Sequence, residues 1–185
     1  MESYLRNLLF LLWEKEKDRN KWPTNLGKIL GGEAEDLENI LQERIRLSGQ
    51  QIDRLAEYFN IEKAEFQTVD LLETTNIFKE NFCFLLNECS EKKDIRKELG
   101  VHPSTISKWK SGKQPPSSTH LRHIKKLFGL DDSIDLNRDP LFLSMEPVSD
   151  LGKKQWIKEN IDSLSPQGLR ELYPALRRLL EERCT

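Results

Sequence analysis

Small hydroxyl and basic side chains around residue 107 offer chemistry suited to reading nucleic-acid bases. Ile106 and Trp109, three positions apart, predict the buried face of a short helix. Hydroxyls and lysines hydrogen-bond to base edges, do not repel phosphate, and fit a major groove about 12 Å wide. The pattern predicts base contacts, or else an ordinary exposed surface, from five residues: Ser104, Thr105, Ser107, Lys108 and Ser111.

No pattern in the chain favours catalysis or metal binding. His120 and His123 lie one helical turn apart, but no carboxylate or cysteine pair nearby completes a metal set. The three cysteines lack a CxxC spacing and predict reduced thiols. Walker, nucleophile and paired-carboxylate motifs are missing from the sequence. We therefore predict a protein that is not an enzyme, with no cofactor and no metal.

The elements that must position these side chains form a helix, a tight turn and a second helix. Ile95 and Leu99 define one apolar face of the first helix, and Gly100 ends it. Val101 leads into the second helix, which Pro103 opens. His102 then caps or flanks the second helix, where it could also touch a phosphate or a base.

With these elements in place, residues 76–135 resemble the phage-repressor and Cro-like (XRE) family of helix-turn-helix regulators. The resemblance implies that the second helix reads the major groove and that dimers bind two-fold sites. Arg96, where the family usually has alanine, and Lys92, where it often has glutamine, depart from the pattern. The matching residues are Leu99–Gly100, the STISKW segment Ser104–Trp109, Gly112, Pro115–Pro116, and the LFGL segment Leu127–Leu130.

Charge is distributed unevenly along the chain. The net charge is -2, yet residues 76–130 hold eleven Lys and Arg against five Asp and Glu, a net charge of +6. Residues 1–75 carry -5 and residues 131–185 carry -3. Six phosphate contacts would give a slope of about -5 for log affinity against log salt. We predict backbone phosphate contacts from four residues: Lys92, His102, Lys110 and Lys113.

The first 75 residues repeat the apolar pattern of the helix-turn-helix segment. An offset of 69 places Leu26, Leu30, Gly31, Leu37, Ile40, Ile52, Leu55 and Phe59 on Ile95, Leu99, Gly100, Ile106, Trp109, Leu121, Ile124 and Phe128. NLLFLLWE from Asn7 matches NFCFLLNE from Asn81 at an offset of 74, so the first copy holds five extra residues around Asp18–Trp22.

The surface that would face DNA differs between the two copies. The base-reading positions Ser104, Thr105, Ser107 and Lys108 correspond to Glu35, Asp36, Glu38 and Asn39, and Glu33 begins the same helix. Phosphate would repel this acidic surface. We therefore predict a degenerate copy that serves self-association or a protein partner, or that only stabilises the second copy.

Two further segments follow the second copy. Residues 136–150 are predicted to be a linker or arm whose apolar residues Leu141, Phe142, Leu143 and Met145 dock on this chain or a neighbour. Residues 151–185 are helical in pattern, with Ser165 as an N-cap and either a kink or a new helix near Pro174. The stripe Leu169, Leu172, Leu176, Leu179 and Leu180 suits intramolecular packing more often than a dimer seam. The resemblance to dimeric regulators nevertheless favours dimerisation, by this tail or by the first copy.

Taken together, the sequence predicts an all-α fold of two tandem repressor-like helix-turn-helix bundles, 1–75 and 76–135, with an arm and a helical tail. We predict a cytoplasmic, sequence-specific double-stranded DNA-binding transcriptional regulator, a repressor of bacterial or phage type, that acts as a homodimer and has no membrane segment. The alternative is a protein-interaction adaptor, such as an antitoxin-like or defence-system subunit. RNA binding stays open, because a basic helix alone does not select the duplex type.

Overall fold

The computed structural model describes residues 3–32, 39–41, 44–88 and 95–181, and over these ranges the fold is all-helical, as predicted. No helix in these ranges is long and apolar enough to cross a membrane. Several predicted features lie outside the described residues: Lys92, Cys89, Cys184, Leu37 and the acidic residues Glu33, Glu35, Asp36 and Glu38.

The helices fall into three groups along the chain. The first half holds α1 (Ser3–Lys15), α2 (Trp22–Leu30), α3 (Gly49–Phe59) and α4 (Lys63–Thr68). The second half holds α5 (Ile77–Glu88), α6 (Ile95–Leu99), α7 (Pro103–Lys110) and α8 (Ser118–Phe128). The C-terminal segment holds α9 (Asp150–Asn160) and α10 (Pro166–Glu181). Short 3-10 turns occupy Arg19–Lys21, Leu141–Leu143 and Ile161–Ser163.

Helices α3 and α8 have the same limits at an offset of 69 residues. Each is 11 residues long and follows a serine N-cap, Ser48 or Ser117, whose side chain accepts a backbone N–H three positions on. Each ends on a residue in the left-handed region, Asn60 at φ 53° and Gly129 at φ 62°. The sequence offset is thus accompanied by matched local structure at both ends of these helices.

Two buried asparagines bind backbone groups at the end of the first half and in the segment after the second half. The side-chain amide of Asn7 donates to the carbonyl oxygens of Phe66 and Val69 at 2.8 and 2.7 Å. Asn81, its partner at the offset of 74, donates to those of Leu136 and Asp139 at 2.9 and 2.7 Å. Each carboxamide oxygen also accepts a backbone N–H, from Leu71 and Phe142 respectively.

One continuous hydrophobic core includes residues from both halves and from the arm. Trp13 of α1 is buried against Phe84 of α5 and Phe142 of the arm, with ring centroids 6.0 and 5.5 Å apart. Its indole N–H donates to Glu80 at 2.7 Å. Leu141, Phe142 and Leu143 are all buried, so the expected docking of the arm's apolar residues on this chain is confirmed for these three.

The extra residues of the first half join the two halves. They form the 3-10 turn Arg19–Lys21, which Asp18 caps by accepting the N–H of Asn20. The Arg19 guanidinium lies 3.1 Å from the Glu88 carboxylate and 4.4 Å from the centre of the Phe84 ring. Arg19 also donates to the carbonyl oxygen of Ser144. The insertion therefore places the guanidinium group of Arg19, from the first half, against α5 and the arm.

The C-terminal helices are attached to α5 through Ser149, at the start of α9. Ser149 caps α9 and also donates from its hydroxyl to Glu88 at 2.8 Å. Ser165 caps α10 as predicted, accepting the N–H of Gly168 at 3.0 Å. Of the two alternatives for Pro174, a new helix is excluded, because α10 runs through this residue without ending.

Three of the five leucines of the tail's stripe are not covered by the described part of the chain. Leu169, Leu172 and Leu179 are exposed, whereas Leu176 is half-buried, so the packing expected within the chain does not extend to these three. Its leucines follow a helical repeat, but α10 makes no extensive contact with another described helix that could cover them. The stripe therefore stays available for a contact outside the chain.

Candidate nucleic-acid interface

The turn between α6 and α7 is set by Gly100. Its φ of 63° lies in the left-handed region, which glycine adopts without a Cβ penalty. The N–H of Gly100 donates to the Lys97 carbonyl at 3.1 Å, and that of Val101 donates to the Arg96 carbonyl at 3.0 Å. This pair of bonds is the Schellman ending of a helix. A Cβ at Gly100 would meet open space, so only the backbone conformation demands glycine there.

His102 and Pro103 begin α7. The Nδ1 atom of His102 accepts the N–H of Ser104 at 3.3 Å and lies 2.9 Å from its hydroxyl oxygen. Pro103 occupies the first turn, where a missing N–H costs nothing. The structure confirms His102 as a cap. Its predicted phosphate contact stays a prediction.

Trp109 fixes the orientation of α7 on the bundle. Its ring is buried and packs edge-on against Phe78 and Phe82 of α5, with centroids 6.5 and 5.7 Å away. His120 of α8 lies 5.2 Å from it, and its Nδ1 atom is 2.8 Å from the Ser117 hydroxyl. Because the Trp109 side chain of α7 packs against α5 and α8, the opposite face of α7 points to solvent.

That outward face carries most of the predicted base-contacting residues. Ser104, Ser107 and Lys108 are exposed and lie at helical spacings of three and four, so they share one stripe. Thr105 is half-buried, since it lies one turn before Trp109, and it sits at the edge of the stripe. Ser111 is exposed just beyond the last helical residue, where its hydroxyl donates to the Lys108 carbonyl at 3.1 Å.

Two of the predicted phosphate-contacting lysines flank the end of this stripe. Lys110 and Lys113 are exposed, and the chain turns between them at Gly112, with φ 69°. A Cβ on Gly112 would come within 2.9 Å of the Asn76 side chain, so the turn also needs a small residue. Among the basic residues of α8, Lys125 already has a partner within the protein, since its ammonium group donates to the Asp132 carbonyl at 2.9 Å.

The two halves differ in charge at two positions of α8 and α3, whereas the counterpart of Lys113 in the first half, Arg44, is also basic and exposed. Arg122 and Lys126 of α8 are exposed, and their counterparts on α3 at the offset of 69 are Asp53 and Glu57, also exposed. Asp53 is paired with Lys63 at 2.6 Å. The two halves thus present similar backbones with different surface chemistry.

The described residues contain no group of three or more His, Cys, Asp or Glu side chains placed to hold a metal ion. Cys83 is a free, half-buried thiol on α5. Burial, the largest cause, raises the pKa of this thiol, which disfavours a reactive thiolate at neutral pH.

Comparisons with protein-family models, with curated proteins and with solved structures found no match to this chain. The interpretation of the α6–α7 surface therefore depends on its own residues and geometry.

Proposed function

We propose that this chain is a sequence-specific double-stranded DNA-binding transcriptional regulator, most simply a repressor of bacterial or phage type. Two copies of a repressor-like bundle would make up the chain, with the second copy binding DNA. The single observation that carries the proposal is the exposed stripe of Ser104, Ser107 and Lys108 on a helix that follows a tight glycine turn.

The dimensions of α7 suit the major groove. An α-helix with its side chains is about 10–12 Å in diameter, which fits the groove's width of about 12 Å, and the eight residues of α7 give about 12 Å of helix to lie in it. The stripe carries short side chains, which let the helix approach the base edges closely. Lys108, the longest member, can donate to guanine O6 or N7.

The basic residues next to the stripe would hold the DNA backbone. Lys110 and Lys113 lie on either side of the Gly112 turn and are exposed. Lysine contacts to phosphate orient a protein on the duplex without reading sequence. The net charge of +6 over residues 76–130 supports this role, whereas the acidic first half argues against duplex binding there.

The test is selection of bound sequences from a random duplex library at about 150 mM salt. Wild type is compared with Lys108→Glu and with Lys28→Glu. Lys28 is an exposed lysine on α2 of the first half, so its replacement makes the same change of charge away from α7.

We expect wild type and Lys28→Glu to recover the same motif, and Lys108→Glu to lose affinity for it by roughly tenfold or more. Helicity and thermal unfolding should be unchanged, because Lys108 is exposed. A palindromic motif would indicate a symmetric dimer. No enrichment by wild type, or equal enrichment by Lys108→Glu, would refute the proposed mode of binding.

A further inference from the structure

A large apolar surface is left uncovered at the C-terminal end of the described chain. Trp156 of α9 is 53% exposed, and Leu169 and Leu179 of α10 are 49% and 59% exposed. By contrast, Trp13, Trp22 and Trp109 are almost completely buried. The other exposed apolar residues in this segment are Ile157, Ile161, Leu164, Leu172 and Tyr173.

Contacts within the described part of the chain do not cover helix α10. It has 16 residues and is about 24 Å long, yet it makes no extensive contact with another described helix. Helices of this length are marginal in water unless an apolar face is packed. The Ser165 cap stabilises its first turn but leaves the apolar face in solvent.

The spacing of its leucines is that of a self-pairing helix. Leu169, Leu172, Leu176 and Leu179 are separated by three, four and three residues, as are the a and d positions of a heptad. Pro174 then falls at position f, on the side opposite the seam, where its missing N–H does not affect the contact. The flanking e and g positions hold no charge: Gly168, Tyr173, Ala175 and Leu180.

We propose that the C-terminal segment, residues 156–179, is a homodimer interface in which α10 packs against α10 of a second copy. The uncharged seam is complementary to itself, as an interface around a two-fold axis must be. In an antiparallel pair, Leu169 meets Leu179 of the other copy and Leu172 meets Leu176. Glu171 and Arg178 lie at c positions, away from the seam, so the contact itself is apolar.

A stable interface needs more buried area than α10 alone can supply, so the contact must include other elements. Specific dimers bury about 800 Å² on each partner, which is more than one 24 Å helix seam can supply. The exposed side chains of α9 and of the turn before α10, including Trp156 and Leu164, provide the additional apolar area. A pair of α9–α10 segments would thus form a small four-helix contact.

This inference does not depend on DNA binding, and its test contains no DNA. The mass of the full chain is measured by sedimentation equilibrium from about 1 to about 200 μM. Wild type is compared with Leu172→Lys, on the seam, and with Gln167→Lys, which places the same charge at position f of the same helix. Near-UV circular dichroism of the buried tryptophans reports whether the body of the protein stays folded.

We expect wild type and Gln167→Lys to approach twice the chain mass of 21.7 kDa. Leu172→Lys should raise the dissociation constant about a hundredfold or more while the near-UV signal is kept. A monomeric wild type would overturn the proposal and indicate a different protein as the occupant. A dimer that Leu172→Lys leaves intact would overturn it too, by placing the interface elsewhere.

Discussion

Two asparagines show how single residues hold each half of the molecule closed. Asn7 and Asn81 each bind two carbonyl oxygens and one N–H, Asn7 at the end of the first half and Asn81 in the segment after the second half. An unpaired buried polar group costs about 1–3 kcal/mol. The side chains therefore stabilise the fold by preventing those losses.

Asn81→Ala is expected to lower the free energy of unfolding by about 2 kcal/mol, since the buried Leu136 carbonyl and Phe142 N–H lose a partner, while the Asp139 carbonyl keeps the N–H of Leu141. Asn7→Ala should cost a similar amount. Asn20→Ala is the control, because Asn20 is exposed, and we expect less than about 0.5 kcal/mol. The measurement is urea-induced unfolding; equal effects at Asn81 and Asn20 would contradict this assignment.

The sequence shows that these two asparagines are equivalent, but it does not reveal which backbone groups they bind. They are the first residues of the two matched octapeptides at an offset of 74, so their equivalence is readable. Their partners are 55–62 residues away for the carbonyl contacts, and no local pattern reveals such contacts. Similarly, the outward direction of Ser104 was predictable from Trp109, whereas the packing of His120 on Trp109 was not.

At the level of elements, the 3-10 turn Arg19–Lys21 joins the two halves through an ion pair in low dielectric. Burial, the largest cause, raises the pKa of Glu88, while the hydrogen bond from Ser149 and the charge of Arg19 lower it in part. The net pKa in the folded state is above its ordinary value. Ionised Glu88 thus opposes folding at neutral pH, and stability from this group rises as the pH falls through the raised pKa.

Arg19→Ala should remove the counter-charge and raise the pKa of Glu88 further. We expect a loss of about 3 kcal/mol in the free energy of unfolding at about pH 7, because a charge is left buried without its partner. The difference from wild type should shrink as the pH is lowered, since the folded variant then takes up a proton at Glu88, whose pKa is raised.

Adding Glu88→Gln to Arg19→Ala is the control, because it removes the charge that responds to pH. The double variant should differ from wild type by less at neutral pH, and this difference should depend less on pH. Urea unfolding at several pH values measures all three proteins. A deficit in Arg19→Ala that is the same at each pH would exclude Glu88 as its cause.

Local sequence rules predicted the elements around the candidate site well. Gly100, Pro103 and the apolar residues on either side located α6, the turn and α7 within a few positions. The offset between repeats also located the insertion near Arg19. Its function as a bridge to α5 was not predictable, because it depends on contacts 69 residues away.

For the whole molecule, the important feature is that one core extends across the predicted boundary between the copies. Trp13 of the first predicted segment contacts both Phe84 of the second and Phe142 of the arm. The domain limits at residues 75 and 135 stay predictions. In this arrangement the first half supports α5, against which the Trp109 of α7 is packed.

The central claim is that the second half binds duplex DNA through α7 and that the first half does not. The most direct measurement is the change of backbone amide resonances when a mixed-sequence duplex is titrated at about 50 mM salt, where non-specific binding is strong. We predict that the largest changes fall between His102 and Lys113, with small changes on α2 and α3. Changes concentrated in the first half, or none at excess DNA, would contradict the claim.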